Sequence, residues 1–179
     1  MPSLDNVISV SRFSKRKDHT TTLKAFKIVK NKLDNVKLIL IGYGPELQKV
    51  KSLAKELKVI KDIIIIYKTH NPYPYMKKSD LLILTSLYEG FPNVLVESLT
   101  IGTPVISTNA NAGASEIVLN GKGGDLIKLG DYEDLAKKIT NHFNSPKKLK
   151  MKTEIAKNNL FRFETKRHSK IYTNLFKKI

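Results

Sequence analysis

The sequence predicts an α/β fold, in which a Rossmann-like three-layer α/β/α arrangement surrounds a mostly parallel sheet of about six strands. Short, almost wholly apolar runs recur along the chain, as expected of strands that are buried on both faces of a parallel sheet. These runs alternate with segments of roughly ten to fourteen residues whose apolar positions follow the period of a helix. Glycine and proline separate the two kinds of segment, which indicates repeated strand, turn and helix.

The strands are the clearest of these elements. They are predicted over residues 7–10, 36–41, 63–67, 81–85, 105–108 and 125–129, and the last is a candidate edge strand. The third consists of isoleucine up to Tyr67, and β-branched residues favour strands. The fourth, which ends at Thr85, is the segment around which the rest is organised, because the most informative turn of the chain follows it.

Helices are predicted between the strands. They cover about residues 20–33, 45–57, 75–77, 92–101 and 132–143, a short piece within 109–118, and a basic amphipathic tail over 146–179. Thr20 or Thr21 could cap the first of them, and Asp131 could cap the helix before the tail. Pro92 suits the first helical position, where its missing N–H costs little, and Gly102 ends the same helix.

Length, composition and charge restrict the class of protein. The chain has 179 residues, of which 41% are hydrophobic, and this suits one folded domain with a sizeable core. It contains no cysteine, no apolar run near the ~18 residues of a membrane span and no signal-peptide core, which fits a cytoplasmic protein. The net charge of +16 predicts anionic partners such as nucleotide phosphates, an anionic membrane surface or another polyanion.

Polar and glycine-rich residues follow the predicted strands. In a parallel sheet the carboxyl ends of the strands meet at one edge, and ligands bind beyond that edge. The loops after residues 10, 41, 67, 85 and 108 should therefore share one rim. They contain Arg12 and Lys17, then Gly42 and Gly44, then residues 69–71, 89–94 and 109–115.

The loop after residue 85 has the most specific chemistry. It enters a helix through Gly90 and Pro92, and such a turn directs free N–H groups and the positive end of the helix dipole at an anion, most often phosphate. Glu89 precedes the turn, and Glu97 follows it with seven residues between the two. Carboxylates accept hydrogen bonds from hydroxyls. A nucleotide sugar has the matching layout, with a diphosphate between a ribose and a hexose.

Residues 89–108, E-G-F-P-N-V-L-V-E-S-L-T-I-G-T-P-V-I-S-T, resemble the donor-site motif of retaining glycosyltransferases of the GT-B fold, family four. In that family seven residues separate two glutamates, and Gly-Phe-Pro follows the first. Residues 11–18, S-R-F-S-K-R-K-D, resemble its Gly-Arg and Lys-Gly pairs, with Ser11 and Asp18 in place of the two glycines. Residues 42–45, G-Y-G-P, resemble its Gly-x-Gly-Pro turn.

The resemblance implies a role for each residue at the rim. Glu89 should contact and orient the donor hexose, while Arg12 and Lys17 neutralise the leaving diphosphate as the catalytic cations. Glu97 should hold the ribose hydroxyls. Phosphate, sugar and base contacts are expected at the backbone of Gly90, Phe91, Asn93 and Val94 and at the loops of Gly42 and Thr69, since the family places the nucleotide base near the latter.

Several of these residues also have simpler interpretations. Lys15 and Arg16 directly precede Lys17, so the register of the second cation is open, and the whole loop could be a solvated basic surface. The glycines at 42 and 44 could serve only a tight turn. The four histidines, His19, His70, His142 and His168, are predicted to lie at the surface. No metal or other cofactor is expected, because no ligand motif occurs and GT-B enzymes generally need no bound metal.

The resemblance covers one half of a GT-B enzyme, the C-terminal donor-binding domain. Residues 1–179 are predicted to form that domain, and the N-terminal acceptor-binding domain is absent, so we expect the isolated chain to be inactive. The implied reaction is transfer of a hexose, with retention, from a nucleotide diphosphate sugar to a glycan or lipid-linked acceptor, as in bacterial surface polysaccharide synthesis. UDP is favoured over GDP as the nucleotide.

Two further expectations concern partners. The basic tail over 146–179 could lie against an anionic membrane, which would make the protein peripheral on the inner face. No nucleic-acid partner is expected, because the basic residues are not interleaved with aromatic ones. The alternative function is a catalytically inactive fragment that binds a nucleotide or a polyanion and needs a partner domain.

Overall fold

A six-stranded sheet forms the centre of the molecule in the computed structural model, which describes residues 5–110 and 112–176. Its strands are β1 (Asp5–Val10), β2 (Val36–Gly42), β3 (Ile63–Tyr67), β4 (Leu81–Leu84), β5 (Val105–Thr108) and β6 (Asp125–Ile127). Every pair of neighbouring strands is parallel, in the order β3-β2-β1-β4-β5-β6. The predicted Rossmann-like fold is therefore confirmed, with β6 at one edge and β3 at the other.

Helices cover both faces of the sheet. They are α1 (His19–Lys30), α2 (Leu47–Glu56), α3 (Tyr73–Lys77), α4 (Asn93–Ile101), α5 (Ala112–Ile117), α6 (Tyr132–Asn144), α7 (Pro146–Lys157) and α8 (Thr165–Phe176). One apolar core joins the sheet to α1, α2 and α6, and a second joins the opposite face to α3, α4, α5 and α7. These two cores make the three layers of the predicted architecture.

The central strands are buried as their apolar sequences predict. All residues of β4 and β5 are buried, whereas the edge strand β3 exposes Ile64 and Tyr67. Four predicted strand bounds are wrong by one or two residues: β1 begins at Asp5 and not at residue 7, β2 ends at Gly42 and not at residue 41, and the ends of β4 and β6 also differ. β4 ends at Leu84, and the hydroxyl of the next residue, Thr85, bonds to the loop that follows β1; β6 ends at Ile127, before the turn at Gly130.

The helix starts show where local chemistry overrides apolar spacing. Asp18, not Thr20 or Thr21, caps α1: its Oδ1 accepts a hydrogen bond from the Thr21 N–H at 3.2 Å. α1 ends at Lys30 instead of residue 33, and α2 begins at Leu47, two residues after Pro45. α3 begins at Tyr73, because Pro74 fits its first turn.

Other predicted ends agree with the structure. Asp131 caps α6 by accepting a hydrogen bond from the Asp134 N–H at 2.9 Å, and α4 follows Pro92 directly and stops before Gly102. The predicted helical tail consists of α7, a 3-10 turn over Leu160–Phe163 and α8, and Ala156 of α7 belongs to the second core. Within the described ranges, no helix combines the length and the apolar character that a membrane span requires.

The chain order reverses between β1 and β4, which are neighbours in the sheet but not in the sequence. In open α/β sheets a crevice forms at such a switch point, beyond the carboxyl ends of the strands. The loops that follow β1 and β4 therefore lie side by side. They are the two loops that contain Arg12, Lys17 and Glu89.

Candidate functional site

An ion pair joins the loops after β1 and β4. The ammonium group of Lys17 contacts Oε1 of Glu89, and these side chains are only 14% and 10% exposed. The hydroxyl of Ser86 donates to the same oxygen at 2.7 Å. Lys15 and Arg16 are exposed. Of the three adjacent cations, Lys17 is thus the one that the fold directs into the switch point.

Thr85 fastens the loop of Lys17 to the end of β4. This side chain is 2% exposed, and its hydroxyl lies 3.0 Å from the carbonyl oxygen of Lys17 and 2.9 Å from that of Asp18. Its oxygen is also 2.8 Å from Oγ1 of Thr22 in α1. The Leu87 N–H donates to the carbonyl of Arg16 at 2.8 Å. These bonds set the position of Lys17 opposite Glu89.

Thr108, at the end of β5, supports the same loop from the other side. Its hydroxyl donates to the carbonyl of Ser86 at 2.6 Å, and both residues are buried. Sequence reasoning did not single out Thr85, Ser86 or Thr108. The available signal was their position: each is a hydroxyl residue directly at the carboxyl end of an apolar strand.

Asp18 occupies a position where the related motif has glycine. Its backbone is left-handed, with φ 45° and ψ 56°, a conformation that glycine adopts freely and aspartate tolerates. The aspartate side chain then caps α1. The departure from the motif is therefore compatible with the turn that the motif requires.

Arg12, Gly42 and Thr69 line a second part of the rim, a cavity of about 240 Å³ at the carboxyl ends of β1, β2 and β3. The guanidinium of Arg12 lies over the ring of Tyr43, 5.9 Å from its centroid. Lys68 adds another cation to the lining. Three of the predicted site residues are thus grouped around one pocket, whose lining combines apolar residues with the two cations Arg12 and Lys68.

Gly42 brings the loop after β2 against the loop after β1. A Cβ at Gly42 would lie 1.9 Å from the carbonyl oxygen of Ser11, and one at Gly44 would lie 2.3 Å from that of Phe13. Any larger side chain would separate the two loops. The tight-turn interpretation of these glycines therefore holds, and the turn also forms one wall of the pocket.

The turn before α4 leaves its first N–H groups free of side-chain caps. Pro92 is the N-cap residue, and Asn93 and Val94 open the helix. In an α-helix the N–H groups of such first residues have no partner within the helix. A Cβ on Gly113 of α5 would lie 2.1 Å from the carbonyl oxygen of Gly90, so α5 packs directly against this turn.

Phe91 has a different environment from the rest of the turn. Its side chain is 42% exposed and makes an edge-to-face contact with Phe163, with ring centroids 5.1 Å apart. The ring therefore anchors the turn to the C-terminal part of the chain. The backbone of Gly90 and Phe91, in contrast to that ring, lies beside the start of α4.

Glu97 lies half-buried in α4. Burial raises the pKa of its carboxyl group above the ordinary value of 4.5. No hydrogen bond or ion pair joins this carboxylate to another residue in the part of the chain that the structure describes. Glu97 is thus an acceptor without an internal donor, in contrast to Glu89.

The histidines differ from the surface positions that the sequence predicted. His70 is exposed as expected, and the side chain of His168 lies outside the described residues. The surface prediction is wrong for His19 and His142, which are only 5% and 4% exposed. His19 stacks on Phe13, with ring centroids 4.7 Å apart, and burial lowers its pKa to about 4.

Residues 5–110 and 112–176 contain no group of three His, Asp or Glu side chains placed to hold a metal ion. The charged groups at the rim are instead one buried ion pair and several cations. Such a set suits an anionic, hydroxyl-bearing ligand, with cations and helix N–H groups for phosphate and carboxylates for hydroxyls.

A family model described as glycosyl transferases group 1 matches residues 4–159. The chain therefore belongs to that glycosyltransferase family, and the resemblance seen in its motifs is confirmed. A capsular polysaccharide biosynthesis glycosyltransferase, CapM of Staphylococcus aureus, is 30% identical over 166 residues, which are 90% of this chain and 42% of the relative. A poly(glycerol-phosphate) alpha-glucosyltransferase of Bacillus subtilis is 30% identical over 132 residues, 74% of this chain and 20% of the relative.

Solved structures of glycosyltransferases share the fold. TarM superimposes with a TM-score of 0.89 at 22% identity, over 97% of this chain and 35% of its own. Anabaena HepE in complex with UDP-glucose gives 0.85 at 25% identity, over 97% of this chain and 49% of its own. The chain thus spans half or less of the length of these relatives, as expected of one Rossmann-like half of a GT-B enzyme.

Proposed function

We propose that this chain is the donor-binding domain of a retaining glycosyltransferase that transfers a hexose from a nucleotide diphosphate sugar. The observation that carries the proposal is the buried pair of Lys17 and Glu89, directly before the uncapped start of α4 and at the switch point of the sheet. Membership of the glycosyl transferases group 1 family supports it.

Each part of the donor has a counterpart at the rim. The diphosphate lies at the N–H groups of Asn93 and Val94, neutralised by Arg12 and Lys17. The ribose hydroxyls donate to Glu97, which has no other donor in the described part of the chain. The base occupies the cavity beside Gly42 and Thr69, and Glu89 accepts a hydrogen bond from the hexose.

The proposed chemistry retains the configuration of the sugar. The bond between the anomeric carbon and the β-phosphate oxygen breaks, and negative charge develops on the leaving nucleotide diphosphate. Lys17 and Arg12 stabilise that charge. An acceptor hydroxyl attacks from the same face, its oxygen bonds to the anomeric carbon, and its proton passes to the leaving phosphate oxygen. No metal ion takes part in this scheme.

UDP is the proposed nucleotide, in preference to GDP. HepE, which is 25% identical, forms a complex with UDP-glucose, and this likeness supports a uridine nucleotide for the present chain. By their names, CapM acts in capsular polysaccharide biosynthesis and the Bacillus subtilis relative is a poly(glycerol-phosphate) alpha-glucosyltransferase. We therefore propose a glycan or lipid-linked acceptor, in the synthesis of a bacterial surface polysaccharide.

The acceptor side of the reaction is proposed to come from a second domain. The chain covers only 42% of CapM, and its own rim supplies groups for a donor alone. The isolated chain should therefore bind the donor but transfer nothing. The lysines of α7 would place the protein at the cytoplasmic face of an anionic membrane, where lipid-linked acceptors are found.

Calorimetric titration with UDP, GDP and a sugar-linked form of each tests the donor site. We expect saturable UDP binding at ~0.15 M salt, weakened roughly tenfold or more in Glu97→Ala, since a hydrogen bond to a charged group contributes about 1.5–3 kcal/mol. Glu56→Ala, an exposed glutamate of α2, is the matched control and should bind normally.

The net charge of +16 favours one alternative, a polyanion-binding fragment. That function predicts equal, weak binding of every nucleotide and a steep loss with salt. The same titration separates the two, because only a formed pocket discriminates between bases. Equal binding that disappears at moderate salt would reject the donor site.

A further inference from the structure

Two buried side chains face each other across the loop that follows β4. Residues 86–89 form neither helix nor strand, and the two in the middle, Leu87 and Tyr88, are exposed. Ser86 is fully buried, Glu89 is 7% exposed, and the Ser86 hydroxyl donates to Oε1 of Glu89 at 2.7 Å. Because no helix or strand fixes the direction of Glu89, its carboxylate depends on this hydrogen bond and on the pair with Lys17 for its orientation.

The two oxygens of the Glu89 carboxylate have different surroundings. Oε1 accepts hydrogen bonds from both the Ser86 hydroxyl and the Lys17 ammonium group. Oε2 has no donor among the residues that the structure describes. A carboxylate can only accept hydrogen bonds, and each of its oxygens has room for about two. Oε1 is therefore filled by the protein, and Oε2 is the oxygen left for a hydroxyl of a ligand.

Ser86 is itself fixed in place by β5 and by the loop after β1. The Thr108 hydroxyl donates to the carbonyl of Ser86 at 2.6 Å, and the N–H of the next residue, Leu87, donates to the carbonyl of Arg16 at 2.8 Å. The Ser86 hydroxyl thus has a set position at the end of the sheet, whereas Lys17 reaches Glu89 through a long, flexible side chain. Of the two donors to Oε1, the hydroxyl is the more rigid one.

We propose that Ser86 is a positioning residue that directs Glu89 at the hexose and so makes the site selective for the sugar-linked form of the donor. This inference rests on the proposed donor site, in which the diphosphate attracts the Lys17 ammonium group. The Ser86 hydrogen bond then remains to hold Oε1, and Oε2 keeps its direction because the carboxylate cannot turn without breaking that bond. Glu89 contacts only the hexose in this site, so Ser86 acts on recognition of the sugar and not of the nucleotide.

Calorimetric titration of the intact chain with UDP, UDP-glucose and UDP-N-acetylglucosamine tests this role, and the sugar-linked form that binds more tightly is compared with UDP. Ser86→Ala should lower the affinity for that form roughly fivefold, the equivalent of one hydrogen bond, and leave the UDP affinity within about twofold of the wild type. Ser98→Ala is the matched control, because Ser98 of α4 is equally buried and its hydroxyl donates to the carbonyl of Thr103 at 2.9 Å. It should change neither affinity.

A second variant decides the case in which Ser86→Ala does not fold. Thr108→Val keeps the shape of the side chain and removes the bond that fixes Ser86, so the affinity for the sugar-linked form should fall about twofold to threefold at constant UDP affinity. Equal loss of both ligands in the folded variants, or loss of neither, would overturn the role of Ser86, as would a wild type that binds UDP but no sugar-linked form. A wild type that does not bind UDP would instead reject the donor site itself, and this inference with it.

Discussion

Replacement of Thr85 by valine tests whether the buried end of β4 positions the catalytic cation. The two side chains have the same shape, so the change removes one hydroxyl and creates almost no cavity. That hydroxyl contacts the carbonyl oxygens of Lys17 and Asp18 at 3.0 and 2.9 Å and the hydroxyl of Thr22 at 2.8 Å. Its loss leaves these groups without their partner.

The expected cost follows from the number of bonds. A single hydroxyl proton serves one of the two carbonyls at a time, and the Thr22 hydroxyl donates to the Thr85 oxygen. Two hydrogen bonds are therefore lost in a site that is 2% exposed. At about 1–1.5 kcal/mol each, the free energy of unfolding should fall by about 2–3 kcal/mol. UDP affinity should fall about tenfold as well, because Lys17 loses its fixed position.

Urea denaturation and UDP calorimetry measure the two effects on the same samples. Thr153→Val is the matched control, since Thr153 is 1% exposed and its hydroxyl donates to the carbonyl of Leu149 within α7. That carbonyl also accepts a helical hydrogen bond, so we expect a loss below about 1 kcal/mol and unchanged UDP binding. If Thr85→Val proves as stable as the wild type within ~0.5 kcal/mol, the hydroxyl does not fasten the loop.

Three further predictions concern charged and titratable groups. Lys17→Gln should lower the free energy of unfolding by about 2–4 kcal/mol, because it leaves Glu89 buried without its ion-pair partner. Lys15→Gln, at an exposed position, should change it by less than ~0.5 kcal/mol. Equal effects of the two substitutions in urea denaturation would contradict the observed pairing. UDP affinity should decline as the pH falls toward the raised pKa of Glu97, since ribose hydroxyls favour its charged form, and calorimetry on Glu97→Gln should show no such decline. The pKa of His19 is about 4 in the folded protein and near 6.5 in the unfolded chain, so its contribution to stability is present above pH 6.5 and is lost as the pH falls to about 4. Over that interval the free energy of unfolding of the wild type should fall by roughly 2–3 kcal/mol more than that of His19→Gln. The same dependence of the free energy of unfolding on pH in both proteins would refute this.

The sheet could be predicted because its strands are continuous apolar runs with clear ends. β3 matches its predicted range residue for residue, and β5 does as well. A parallel sheet requires the carboxyl ends of its strands to meet, so the rim that groups Arg12, Gly42 and Thr69 followed from the order of elements alone. The family was indicated by the resemblance of residues 89–108 to its donor-site motif, in which Glu89 and Glu97 have the matching spacing.

Long-range hydrogen bonds could not be predicted. Thr85 bonds to residues that precede it by more than sixty positions, and no local pattern encodes such a pair. The burial of two histidines could not be predicted for a related reason. His19 and His142 are each buried by contacts that only the packed structure creates, while single polar residues in amphipathic helices usually lie at the surface. The helix cap at Asp18 was not predicted because the left-handed backbone of this residue is set by the loop that contains Lys17.

The pair of Lys17 and Glu89 is better explained by preorganisation of a binding site than by stability. Desolvation offsets much of the attraction between buried charges, so replacement by apolar residues is often neutral or stabilising. Here Ser86 and Thr85 add hydrogen bonds that hold the pair at the switch point. In the proposed donor site a diphosphate offers Lys17 a second anion, and Glu89 can then accept a hydroxyl of the hexose. The two charges thus keep each other in place until the ligand provides a partner for each.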